Sequence, residues 1–211
     1  LQGAEGGHDW FHIQRVFKTS LLIAKDEKNI NILVVSLGAL LHDIADAKFH
    51  NGDETVGPKL AYTFLTSIQV NANVIAQVIQ IIENISFKKS LEKTTPNFNS
   101  IELQVIQDAD RLDAIGAIGI ARAFNYGGFK NRALYDPNIA PNLKMTKEEY
   151  KKSSAPTINH FYEKLLLLKD KMNTKTGKKL AAERHQFMMN YLEQFYSEWN
   201  GTPLERNSSI Q

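Results

Sequence analysis

Cysteine is absent from the 211 residues. Its absence excludes disulfides, thiolate zinc sites and cysteine nucleophiles, and it suits a reducing compartment. Any metal must be held by histidine, carboxylate or other oxygen ligands. Charge of one sign is also lacking, because 25 Lys and Arg stand against 23 Asp and Glu, a formal net charge of +2. No block of basic residues stands out, so a duplex nucleic acid is not an expected partner. Long apolar runs are missing as well. The longest, residues 30–41, is interrupted by Asn31, Ser36 and Gly38 and ends at His42-Asp43, short of the roughly 20 residues that a bilayer-spanning helix needs. No membrane partner is expected. No charged-then-apolar leader precedes the first helical run, and the expected location is the cytoplasm.

What is present reads as helix. Apolar residues Phe11, Val16, Phe17, Leu21, Ile23 and Ala24 recur at helical spacing over residues 10–25, after a flexible glycine-rich start. A second helix is expected over 31–44; being apolar on most faces, it belongs at the centre of a bundle. Further amphipathic stretches are expected over 59–65 and 74–85, and a polar loop over 86–100 leads into a helix that begins near Ile101 and passes through Asp108 and Asp110. Gly127-Gly128, Asp136-Pro137 and Ala140-Pro141 predict an irregular excursion at about 126–146. Two closing helices are expected at 155–172 and 177–199. With no strand-like alternation and no internal repeat, the predicted fold is all-α, a single domain over residues 1–211.

One constellation carries chemistry. A divalent metal that works on phosphate wants imidazole and carboxylate ligands, with open positions for water and a phosphate oxygen. His42 and Asp43 are adjacent near the end of the second helix, about 100° apart around its axis, so both can reach one cation at that edge. His12 would come from the first helix and Asp110 from a later one. A hydrogen-bonded His-Asp pair is the competing reading of the doublet. What favours a cation is its place directly after a buried helix, where buried imidazole and carboxylate groups need a partner.

The segments His12-Ile13-Gln14-Arg15-Val16, Leu40-Leu41-His42-Asp43-Ile44-Ala45-Asp46 and Asp108-Ala109-Asp110-Arg111-Leu112-Asp113-Ala114-Ile115-Gly116 resemble, in order and separation, the successive motifs of the HD-superfamily phosphohydrolases. Gly116-Ala117-Ile118-Gly119-Ile120-Ala121-Arg122 and His160-Phe161-Tyr162-Glu163-Lys164-Leu165 are further similar to stretches of a small bacterial subgroup, the YedJ and YpgQ-like proteins.

The resemblance implies an HD-domain helical bundle and a divalent cation, Mn²⁺ first, with Mg²⁺, Co²⁺, Ni²⁺ or Fe²⁺ as alternatives. The implied reaction is hydrolysis of a phosphate ester or anhydride, often in a nucleotide. Its ligands would be His12, His42, Asp43 and the terminal aspartate. That aspartate is assigned to Asp110 because Ala109-Asp110-Arg111-Leu112 follows the family pattern, with Asp108 as the alternative. On a helix the two point about 200° apart, so they should not ligate one ion together. Asp46 stands where many family members place a glutamate that handles the reacting water; the alternative for it is an exposed helix-end carboxylate.

Arg15, Lys48 and Arg111 are the candidate phosphate-binding cations, each equally able to serve as a salt-bridge partner; Arg122 reads as structural. His8, four residues before His12, could reach the pocket mouth but reads rather as capping or solvating the N-terminal segment, and His50, His160 and His185 have no ligand spacing. Two-metal family members need further histidines between the His-Asp pair and the last aspartate, and none occurs between His50 and Asp108, so one tightly held cation is expected. The favoured reaction is cleavage of a nucleoside triphosphate to monophosphate and pyrophosphate. A nucleoside 5′-monophosphatase or other phosphoesterase uses the same parts, and a metal-stabilised binding or regulatory module without turnover is the alternative of another class. Oligomeric state is left open.

Overall fold

A computed structural model describes residues 9–45, 53–85, 98–146, 149 and 153–204. Helices α1 (Trp10–Ala24), α2 (Ile32–Leu41), α3 (Val56–Ser67), α4 (Ala72–Asn84), α5 (Ile101–Asp113), α6 (Gly116–Phe129), α7 (Thr157–Glu163) and α8 (Lys175–Asn200) account for most of them, with a 3₁₀ helix over Leu165–Lys171. Among the described residues there is no strand, and the fold is all-α, as the periodicity predicts. None of these helices is long and apolar enough to cross a membrane.

The chain divides into two compact units, Leu1–Asp113 with Asp170–Lys178, and Ala114–Lys169 with Lys179–Gln211. In the first unit α1 packs against α5 and α2, α2 also packs on α4 and α5, and α3 lies on α4. Its core is aliphatic, with Ile13, Val16, Val34, Leu65, Ile81 and Ile106 among the side chains wholly or almost wholly removed from water. Short polar side chains start these helices. The Asp9 carboxylate accepts the backbone N–H of His12, Asn31 caps α2 and Asn71 caps α4, each satisfying donors that the first turn leaves open. Gly38 lets α2 approach α5 closely, since a Cβ there would come within 2.7 Å of Ile106 Cδ1.

Two boundaries differ from expectation, each for a local reason. α2 stops at Leu41 rather than continuing to residue 44, because the chain tightens into an i→i−3 turn from Ile44 N–H to the Leu41 carbonyl, while His42 Nδ1 takes up the Ala39 carbonyl. Helix α2 is also only partly central, for Ile32 and Leu33 in its first turn are exposed. The expected helix over 155–172 is two pieces, interrupted at Lys164 (φ −143°, ψ −55°), where α-helical geometry is lost before the 3₁₀ turn.

In the second unit α6 packs on α7, and it includes Gly127-Gly128 and ends at Phe129, just inside the excursion expected from about residue 126. Gly127 is a packing residue in this position. A side chain would collide with Thr157. Phe161 stacks on Tyr191 while Phe124 meets both at steep angles, and Tyr135 meets Phe195, Tyr196 and Trp199 edge-on.

Candidate metal centre

Three helices of the first unit bring the predicted ligands together. His12 lies in the first turn of α1, His42 is the residue that closes α2, Asp43 follows it in the turn, and Asp110 sits one turn before the end of α5. Ligand atoms of His12, His42 and Asp110 all lie within 4.8 Å of one another. Asp43 Oδ2 is 3.6 Å from His12 Nε2 and 3.6 Å from His42 Nε2, and Asp110 Oδ1 is 3.5 Å from His12 Nε2. The two imidazole rings meet at an interplanar angle of 65°.

These spacings suit an ion better than a proton. A hydrogen bond between such groups is about 2.7–3.2 Å long. Ligands about 2.0–2.2 Å from one ion have donor atoms roughly 3–3.6 Å apart. His42 Nε2 is buried and has no hydrogen-bond partner among the described residues, a costly state for a polar atom unless something else satisfies it. The mixed imidazole and carboxylate set fits a first-row divalent cation. His12 and His42 are buried, whereas the Asp110 side chain is 42% exposed, so the site has a buried imidazole floor and an open carboxylate rim. His12, His42 and Asp110 can therefore hold a divalent metal, with Asp43 beside them.

The local sequence explains the aim of each ring. His42 Nδ1 is 2.8 Å from the Ala39 carbonyl, one turn back on its own helix. That carbonyl can only accept, so the ring proton resides on Nδ1 and the Nε2 lone pair faces Asp43. His12 Nδ1 instead meets a carboxylate from another helix, Asp113 Oδ2, at 2.8 Å. Arg15 grips the same carboxylate, Nε to Oδ1 at 2.6 Å and Nη2 to Oδ2 at 3.0 Å. The hydrogen bond to Asp113 is the main force holding the Arg15 guanidinium above its ordinary pKa, partly opposed by burial.

Asp113 was not singled out from the sequence. Its signal is that it lies one turn beyond Asp110, on the same face of α5.

Asp108 and Asp110 have different surroundings. Asp108 is fully buried and accepts from the Asn173 backbone N–H at 2.8 and 3.0 Å, Asn173 Nδ2 at 3.1 Å, Thr174 N–H at 2.7 Å and the Thr174 hydroxyl at 2.8 Å. Thr174 Oγ1 in turn accepts the Gly177 N–H, so the carboxylate braces the start of α8. Arg111, expected near phosphate, is turned to this network: Nη1 donates to the Lys171 carbonyl at 2.6 Å and lies 3.6 Å from Asp108. Burial pushes the Arg111 guanidinium below its ordinary pKa, against the pull of Asp108 and Asp110. Arg15 is at the cluster, but two of its nitrogens are taken by Asp113. Asp46 and Lys48, like His8 and His50, lie outside the described residues.

Over 207 residues the chain is 37% identical to the uncharacterised protein YpgQ of Bacillus subtilis (strain 168), covering 97% of this chain and 91% of that one. A solved HD-superfamily hydrolase from Bacillus thuringiensis is 42% identical at a TM-score of 0.74, covering 95% of this chain and 90% of that one. Bacillus subtilis YpgQ solved in complex with ADP is 36% identical at a TM-score of 0.72, covering 93% and 92%. The model of the HD domain matches residues 10–115, the span that holds His12, Arg15, His42, Asp43, Asp110 and Asp113. With half of its length under that model and near-complete coverage by relatives of the same kind, the chain belongs to the HD domain family.

Proposed function

We propose that the protein is a metal-dependent phosphohydrolase that cleaves a nucleoside triphosphate to the monophosphate and pyrophosphate, with His12, His42, Asp43 and Asp110 as ligands of a single divalent cation and Mn²⁺ as the proposed ion. The observation that carries this reading is the convergence of two buried imidazole Nε2 atoms and two carboxylates at 3.5–3.6 Å. The ADP complex of YpgQ, a relative similar over nine-tenths of both chains, supports a nucleotide as substrate.

A cation bound there supplies Lewis acidity toward a phosphoryl oxygen and toward water. The residues of the chain do the rest. Two neutral imidazoles and two carboxylates fix the ligand geometry, and the open Asp110 edge admits the substrate. Arg15 retains one Nη beyond those engaged by Asp113 and is the proposed donor to a phosphate oxygen, together with Lys48 and, less centrally, Arg111. Asp46, three residues after Asp43, is proposed to orient the attacking water and accept its proton. The water oxygen bonds to the α-phosphorus, the bond from that phosphorus to the bridging oxygen breaks, and pyrophosphate departs.

The test is turnover of chelator-stripped protein, before and after Mn²⁺ is restored, against nucleoside tri-, di- and monophosphates, reading phosphate and pyrophosphate separately. Metal-dependent pyrophosphate release from triphosphates is expected. Phosphate release from monophosphates alone would replace the reading with a nucleotidase, and metal-loaded protein silent on the whole panel would favour a binding module.

A further inference from the structure

We infer that Asp113 is a positioning residue for the metal centre: it holds His12 in the tautomer and ring orientation that present Nε2 to the ion, and Arg15 holds Asp113 in turn. The inference rests on the metal-centre reading above. His12 is fully buried, so water does not orient its ring, and Asp113 is only 4% exposed. An ionised carboxylate accepts and cannot donate. Its contact with Nδ1 at 2.8 Å therefore places the proton of the neutral ring on Nδ1, and the Nε2 lone pair faces Asp43 and Asp110.

The arrangement is closed at both ends. His12 and Arg15 are one turn apart on α1 and reach the same carboxylate, and the Arg15 fork engages both of its oxygens. Held in this way, Asp113 cannot swing toward the ion as a further ligand. Asp110 and Asp113 are one turn apart on α5, so that helix delivers one ligand and aims another that belongs to α1. His42 is oriented differently, by the Ala39 carbonyl of its own helix. Changing Asp113 thus perturbs one of the two imidazoles and leaves the second as an internal reference.

The experiment combines Mn²⁺ titration calorimetry with ¹⁵N NMR of the histidine tautomers in metal-free protein, for the wild type, Asp113→Ala and Asp113→Asn. In the wild type His12 is expected as the Nδ1–H tautomer. Asp113→Ala is expected to lose that signature and to bind Mn²⁺ about 10–100-fold more weakly, with the His42 signal unchanged. Asp113→Asn, whose amide oxygen accepts the same proton, is expected to keep the tautomer and recover most of the affinity. Should the alanine variant fail to fold, the wild-type His12 tautomer carries the test. An Nε2–H tautomer of His12 in the wild type, or wild-type Mn²⁺ affinity in folded Asp113→Ala, would overturn the inference while leaving the metal centre standing. A wild-type protein that binds no Mn²⁺ would overturn both.

Discussion

Asp108 Oδ2 accepts both the backbone N–H of Thr174, at 2.7 Å, and the Thr174 hydroxyl, at 2.8 Å, although the two residues are 66 positions apart. Asp110, two residues further along the same helix, faces His12 instead. Opposite behaviour of the two alanine variants follows. Asp108→Ala strands buried donors on Asn173 and Thr174, and the expected loss of stability is about 3 kcal/mol or more. Its folded fraction should still bind Mn²⁺. Asp110→Ala removes a partly exposed carboxylate, so chemical denaturation should find the metal-free protein little changed while calorimetry finds metal binding lost. The reverse pattern would exchange the roles of the two aspartates.

Arg15→Gln removes the positive partner of the buried Asp113 carboxylate. Because the arginine side chain is 34% exposed, solvent screens part of the interaction, and the expected cost is about 1–3 kcal/mol rather than the larger value of a fully buried pair. Urea denaturation of metal-free protein measures it. Unchanged stability would mean that water replaces the guanidinium without loss.

Burial lowers the His160 imidazole from 6.5 to about 4, with Lys164 and Arg132 adding to the effect. Between those values the unfolded chain binds more protons than the folded one, so stability rises with pH across the window. The contribution is complete above pH 6.5 and is lost progressively as pH falls toward 4, on the order of 1–3 kcal/mol in total. Urea midpoints of the wild type and His160→Asn, compared at pH 4.5, 5.5 and 7, should show a shallower pH slope in the variant. Parallel slopes would remove His160 from the acid response.

The helices and the His42-Asp43 doublet were legible because both are local patterns, apolar residues at helical spacing and a His-Asp pair at the end of an apolar run, whereas His12 and Asp110 were assigned through the family resemblance. What was not legible depends on distant partners. Asp113 acquires its role only where α5 meets α1, 101 residues from His12. Arg111 read equally as a phosphate donor or a salt-bridge partner, and its contact with the Lys171 carbonyl, 60 residues on, was not visible in the sequence. The early end of α2 has a local origin instead, since His42 Nδ1 engages the Ala39 carbonyl three residues back, within the helix that residue 44 was expected to extend. Gly127-Gly128 read as a break because glycine is a poor helix former. Close packing against Thr157 instead requires a glycine at position 127, in the last turn of α6.

The most direct test of the metal-centre account is anomalous scattering from crystals of the protein soaked in Mn²⁺. One strong peak is expected within coordination distance, about 2.0–2.4 Å, of His12 Nε2, His42 Nε2 and carboxylate oxygens of Asp43 and Asp110. A peak ligated by Asp108 instead of Asp110, or no peak at these residues in a crystal that binds Mn²⁺ elsewhere, would contradict it.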